Sequence, residues 1–276
     1  MQGFTCPRNG RGAVPVSHCL LHCGDRCMSI PFLTYIVEND RETIDDVYHV
    51  TEILNPPQVV YLSRNLGAKF PNPHSLVWAM LGTGVHGILA EVAGKLGDRY
   101  EVEKNFIVDF GYAKLSGTTD LWDKDEKVLW DYKTIKSYAV KKLKAGDFSG
   151  SKYADQMNIY AAYGYPDAKR LVIEAVVKDW SPTIQAKDGI SPIEDIEVPM
   201  YPRGETEMLV QTLLQEHVGV QKSENPRPCT DEEVWVGKSP RSPNFGIRLR
   251  CRDYCAVNGV CKQYQKWLEE DSARKH

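Results

Sequence analysis

Asp120, Asp131 and Lys133 are the residues of this sequence whose types and spacing are best suited to chemistry. They lie in Gly117 to Lys133, GTTDLWDKDEKVLWDYK, where two runs of β-branched, aromatic and leucine residues, Leu115 to Trp122 and Val128 to Thr134, flank the polar cluster Asp123 to Lys127. That pattern predicts two strands and a tight turn. A turn centred on Asp125 and Glu126 sets Asp120 opposite Asp131. Alternation then gives Leu129, Asp131 and Lys133 one face, and Val128, Trp130 and Tyr132 a second, core-like face. Two carboxylates across a strand pair lie about 5 Å apart at Cβ and repel one another. A divalent cation reverses that sign. Hard oxygen ligands suit Mg²⁺ or Mn²⁺, which can activate water or stabilise a leaving oxygen at a phosphodiester, with the Lys133 ammonium beside it. The alternative is a solvated hairpin with ordinary surface charges, which Asp-x-Lys alone does not exclude.

The elements that must position this hairpin can be read on either side of it. Leu76, Met80, Val85, Leu89, Val92 and Leu96 predict a mostly buried helix from His74 to Leu96 that carries His86, a satisfied core residue or a metal ligand. Glycines 82, 84 and 87 weaken that helix and suggest something close beside it. Glu101 to Phe110 reads as the strand before the hairpin, with Glu103 a residue that can point into the site. Lys133, Lys136, Lys141, Lys142 and Lys144 follow with no acid before Asp147, either a solvated face or a phosphate-attracting one. Lys152 to Gly164 predicts a helix with Tyr153, Gln156, Tyr160 and Tyr163 on one face, where Gln can bond a phosphate or base and Tyr can stack. Leu171 to Val177 reads as a buried strand, Ser181 to Arg203 as a loop excursion, and Glu205 to Val220 as a packing helix. Strand, hairpin, helix, strand gives an α/β fold with a mixed sheet flanked by helices.

The 276 residues suit one large α/β domain with appendages or two small ones, divided here as 1–45, 46–222 and 223–276. A net charge of −3 excludes a general nucleic-acid coat but leaves room for a local basic channel. With no run of about 18 apolar residues and no signal-peptide pattern, a soluble, cytoplasmic protein without a membrane partner is expected. The eight cysteines fall in two groups of four. Cys6, Cys19, Cys23 and Cys27 suggest a metal-organised N-terminal knuckle, with zinc or an iron–sulfur cluster as occupant and His18 or His22 able to replace one ligand; free thiols or crosslinks are the alternative. Cys229, Cys251, Cys255 and Cys261 form the second group. Between Lys238 and Arg252, the cations Lys238, Arg241, Arg248, Arg250 and Arg252 make a stripe with no acid, suited to DNA.

Gly117-x-x-Asp120, then Asp131-Tyr132-Lys133, then Gln156-x3-Tyr160, in that order and spacing, resembles the RecB-type branch of the PD-(D/E)XK nucleases. GTGVH, Gly82 to His86, looks like that branch's helix-borne histidine. Cys251, Cys255 and Cys261 look like the C-terminal cysteines of its iron–sulfur members, such as the CRISPR-associated adaptation nucleases, and HVTEILNPPQ looks like bacteriophage-encoded members. The resemblance covers roughly residues 50–262. It implies a restriction-endonuclease-like core and a metal-dependent DNA exonuclease acting on single-stranded or free ends in a bacterial or phage-infected cell. Asp120, Asp131, His86 and the Tyr132 carbonyl would hold Mg²⁺ or Mn²⁺, with Lys133 catalytic and Gln156, Tyr160, Lys136, Arg248 and Arg250 toward DNA. It also implies a [4Fe–4S] cluster. The family spaces these cysteines C-x2-C-x5-C with a fourth from upstream; here the first gap is x3 and Cys229 offers a nearer fourth, so zinc stays open. A homo-oligomeric ring is compatible with it. The alternative is a catalytically silent, cysteine-rich DNA-binding or assembly module on the same fold, or a zinc-only scaffold for a partner protein.

Overall fold

Residues 2–8, 12–39, 44–65, 71–149, 151–239, 242 and 244–273 are described in a computed structural model of the chain. In order they form β1 (Gly3–Thr5), β2 (Ala13–Pro15), α1 (Ile30–Glu38), β3 (Val47–His49), α2 (Val50–Ile53), α3 (Pro57–Asn65), α4 (Pro73–Gly94), β4 (Tyr100–Asp109), β5 (Lys114–Asp123), β6 (Val128–Ile135), α5 (Ser137–Lys144), α6 (Tyr153–Gly164), β7 (Arg170–Val177), α7 (Pro182–Asp188), β8 (Ile193–Val198), α8 (Arg203–Ser223) and α9 (Lys262–Ala273). Five-residue π-helical turns occupy His18–His22 and Arg250–Tyr254. Two compact units result, one of residues 45–54 and 77–214, the other of 1–44, 55–76 and 215–276. Both cysteine-bearing ends belong to the second unit.

The first unit is α/β: a mixed sheet in the order β3-β5-β6-β7-β8, with β4 also paired to β5 and helices flanking it. β3 with β5 and β6 with β7 are parallel, the other pairs antiparallel. The middle strands are buried on both faces, as apolar runs such as LVIEAVV in β7 require. β6 shows the same: Leu129 and Asp131 on one face and Val128 and Tyr132 on the other are all buried, so the second face is not alone in facing core. Leu121, Tyr132 and Ala93 form a further cluster, fastening the end of α4 to the hairpin.

β5 organises the site through its edges. Along one it pairs with β4 from Tyr100↔Asp123 to Asp109↔Lys114, with a gap where Glu103 faces Asp120; Glu103 has φ +46° and an exposed side chain, so it does not face into the site as expected. Along the other it is divided: Lys114, Leu115 and Ser116 pair with β3, and Leu121, Trp122 and Asp123 pair with β6. Gly117 to Asp120 lies between these partners. Gly117 must be glycine there, since a Cβ would fall 2.5 Å from Phe106 Cζ and 3.0 Å from Tyr160 Cε1.

Three expectations are corrected. α4 is not buried: Trp78, Leu81, Ile88 and Val92 are exposed, and of its glycines only Gly82 approaches a neighbour, Thr134 Oγ1 at 3.5 Å, with open space beside Gly84 and Gly87. By length and composition α4, with mean hydropathy 1.5, is also apolar enough to cross a membrane, although no uninterrupted apolar run reaches that length. The excursion at 181–203 holds α7 and β8. Ser181 caps α7 by accepting from Ile184 N, Pro182 stands in its first turn and Gly189 ends it at φ +66°, while β8 alternates as a partly exposed edge strand.

Replacing Gly117 with Ala should cost about 1–3 kcal/mol in urea unfolding, because Phe106 is itself buried and cannot yield freely. At the hairpin turn Arg99 makes a two-pronged bond to the buried Asp123 carboxylate and holds its pKa below the usual range. A depressed folded pKa contributes stability above the unfolded value, near 4, and loses it as pH falls through the folded pKa. Asp123→Asn should therefore remove part of the acid dependence of the melting temperature while lowering it at neutral pH.

Candidate active site

The strand register places Asp120 one step beyond the last β5–β6 ladder pair, Leu121↔Trp130, and so across from Asp131. The ladder stops there because the Asp120 side chain takes the backbone donor: Tyr132 N donates to Asp120 Oδ2 at 2.8 Å. This separates the strands while leaving no buried amide unpaired. From α4, His86 Nε2 donates to the Tyr132 carbonyl at 2.7 Å, and its Nδ1 faces Asp120 Oδ1 at 3.3 Å. Asp131 is 2% exposed and its Oδ2 forms an ion pair with Lys133 Nζ. Oδ2 accepts from no group besides that ammonium.

Electrostatics follow from this crowding. Burial, and then the neighbouring Asp120, push the Asp131 carboxyl up against the opposing pull of Lys133. Burial disfavours charge on Lys133, but Asp131 and Asp120 outweigh it and hold the ammonium above its ordinary pKa. Asp120 raises His86 in the same way, against burial. The cluster thus balances two carboxylates with a lysine and a histidine. Among the described residues no three His, Cys, Asp or Glu side chains are gathered closely enough to share one metal ion. The donor set nevertheless fits a hard divalent cation: two carboxylates, a histidine, a carbonyl, and a buried carboxylate oxygen whose one partner is the Lys133 ammonium. Such an ion would add to the charge compensation that Lys133 gives the two carboxylates.

α6 closes the site from one side. Gln156 and Tyr160, assigned toward DNA, are buried; Gln156 Nε2 donates to Tyr160 Oη at 3.0 Å, and burial with Asp131 pushes the Tyr160 phenol up to about 12. Tyr160 faces the carboxylate cluster, and neither side chain is open to solvent. Lys133 Nζ also sits 5.6 Å from the Tyr153 ring centroid. The basic run is mostly neutralised, by Lys141 with Asp188, Lys142 with Asp147 at 3.2 Å and Lys144 with Glu194. Lys136 is different. It faces Lys178, whose pKa is lowered by burial and then by Lys136, while Lys178 lies 4.7 Å from the Trp78 ring centroid. The pair Lys136 and Lys178 was missed because 42 residues separate them in sequence.

In the other unit Cys229, Cys251, Cys255 and Cys261 line one small pocket with Gln58 and Arg250. Burial and the neighbouring Glu233 carboxylate and thiols push Cys229 up to about 12. Arg248 and Arg250 are not displayed as an unpaired stripe: Arg248 pairs with Asp271 at 3.5 Å and stacks on Trp267, and Arg250 Nη2 donates to Asn55 Oδ1 at 2.5 Å. Lys238 lies 3.8 Å from Glu232 and Arg252 2.7 Å from Asp253, while Arg241 lies outside the described residues. None of the eight cysteines is joined in a disulfide.

No protein-family profile and no curated protein matches this chain. Among solved structures, one titled "Crystal structure of SSO0001" is similar, with 15% identity, a TM-score of 0.50, and coverage of 84% of this chain and 93% of that one. At that identity the likeness shows the fold alone.

Lys133→Ala should lower stability by about 3–5 kcal/mol, because it leaves the Asp131 charge buried without its partner. Asp131→Asn combined with Lys133→Met should recover most of that loss in chemical denaturation.

Proposed function

We propose that this protein is a Mg²⁺- or Mn²⁺-dependent deoxyribonuclease of the PD-(D/E)XK kind, acting as an exonuclease on DNA with a single-stranded or free end. One observation carries the reading: the separate sequence motifs Gly117-x-x-Asp120, Asp131-x-Lys133 and His86 meet in one cluster, linked by the 2.7 Å, 2.8 Å and 3.3 Å contacts around Asp120 and Tyr132. A site of surface charges would not bury Asp131 and Lys133 together.

Asp120, Asp131, His86 and the Tyr132 carbonyl would hold the ion. When bound it supplies a water of lowered pKa and charge neutralisation at a phosphodiester. Lys133 is held charged by its carboxylate neighbours, and would orient the attacking water or stabilise charge developing on the phosphate. Tyr160 and Gln156 fix the wall against which Lys133 rests. Lys136 and Lys178 provide two cations for the flanking phosphate backbone. At the C-terminal pocket the four thiols that line one cavity would hold a [4Fe–4S] cluster, with a single zinc ion as the alternative occupant.

The test is a gel assay on end-labelled single- and double-stranded DNA, with anaerobically purified protein. Shortening should require Mg²⁺ or Mn²⁺, stop in EDTA, and fall by at least about 100-fold in Asp120→Asn, which can still accept from Tyr132 N and so keep its fold. Metal-independent cleavage, or full activity in that variant, would sink the proposal.

A further inference from the structure

The two cysteine groups are built on the same local scaffold. In each, the first cysteine of a C-x3-C pair, Cys19 or Cys251, is the second residue of a five-residue π-helical turn. The second, Cys23 or Cys255, ends that turn in extended backbone, at φ −75°, ψ 114° and φ −89°, ψ 115°. The residues entering the two turns agree as closely, Ser17 at φ −57°, ψ −40° and Leu249 at φ −56°, ψ −42°. π-helical turns are rare and concentrate at functional sites, so recurrence twice in one chain around the same residue pair is not expected from packing alone.

The third cysteine is brought in by the same device. Ahead of Cys27, Arg26 Nε donates to the Cys19 carbonyl at 2.9 Å; ahead of Cys261, Asn258 Nδ2 donates to the Cys251 carbonyl at 2.9 Å. Each group also has a fourth cysteine from an earlier segment, Cys6 just after β1 and Cys229. Arginines face both sets, Arg8 and Arg26 toward Cys27 and Cys19, Arg248 and Arg250 toward Cys251. Cys19 packs against the apolar cluster of Phe4, Leu33 and Ile36, as Cys255 packs on Leu62 and Val257. His18 and His22 are exposed, whereas the cysteines between and beyond them are half-buried. That removes the histidines as the natural replacements for a thiolate.

We infer that Cys6, Cys19, Cys23 and Cys27 bind a second [4Fe–4S] cluster, so that the unit formed by the two ends of the chain carries two clusters of one kind. The inference rests on the iron–sulfur reading of the C-terminal pocket. Four thiols held by a turn that repeats the other pocket, and close enough that, after burial, Cys23, Cys27 and Cys6 all raise the Cys19 thiol, match the donor set of one such cluster.

Iron, acid-labile sulfide and zinc should be measured in the full chain after anaerobic purification and reconstitution with ferrous iron and sulfide. Two clusters give about eight iron and eight sulfide per chain, falling to about four in Cys19→Ser/Cys23→Ser and to about four in Cys251→Ser/Cys255→Ser. About four iron in the wild type, all lost in the C-terminal variant, would overturn the second cluster and leave the C-terminal reading standing. One zinc per chain lost in the N-terminal variant would overturn it as well. About four iron lost only in the N-terminal variant would overturn the C-terminal reading instead, and an iron-free wild type would overturn both. Should a variant fail to fold, the wild-type stoichiometry still decides.

Discussion

The Asp131 carboxylate, 2% exposed in the middle strand of a sheet, is the group that most constrains this protein. An ion buried in that position is tolerated only with compensating charge and hydrogen bonds close by. Lys133 supplies the first, two residues along the same strand face. Asp120 adds a second negative charge, which His86 answers from α4. Each of these residues is thus placed by the need of another, and removing any one leaves a charge stranded. A stability-only design would have filled the same space with apolar side chains; keeping four titratable groups there suits a site meant to receive a cation and a phosphate.

The fold serves this arrangement by interrupting itself. β5 gives one end of an edge to β3 and the other to β6, leaving Gly117 to Asp120 between them. Backbone hydrogen bonds that would have joined the strands there are replaced by the Asp120 side chain, which fixes the carboxylate as firmly as a ladder bond would. Gly117 allows Phe106 and Tyr160 to close over the gap.

Much of this was legible in the sequence. The two apolar runs and the acidic turn between them made the hairpin register legible, since a turn centred on Asp125 and Glu126 pairs Asp123 with Val128. The face shared by Tyr153, Gln156 and Tyr160 was readable from helical spacing. What was not legible depended on long-range partners. α4 reads as core by its apolar residues, but exposure is decided by what packs on it, and little does. The lysines after β6 read as a basic patch, yet Asp188 and Glu194 from α7 and β8 neutralise them, and the Pro-, Ser- and acid-rich composition of that stretch reads as a loop. The pairing of Lys136 with Lys178, and the matching turns around Cys19 and Cys251, needed coordinates, because neither local pattern shows what it faces.

The central claim is that the carboxylate cluster is a divalent-metal site. Diffraction from crystals soaked in Mn²⁺, recorded at the manganese absorption edge, tests it most directly. The account predicts one strong anomalous peak in contact with the Asp120 and Asp131 carboxylates, with the His86 ring turned to it. A peak elsewhere, or none while His86 keeps its bond to the Tyr132 carbonyl, would contradict it.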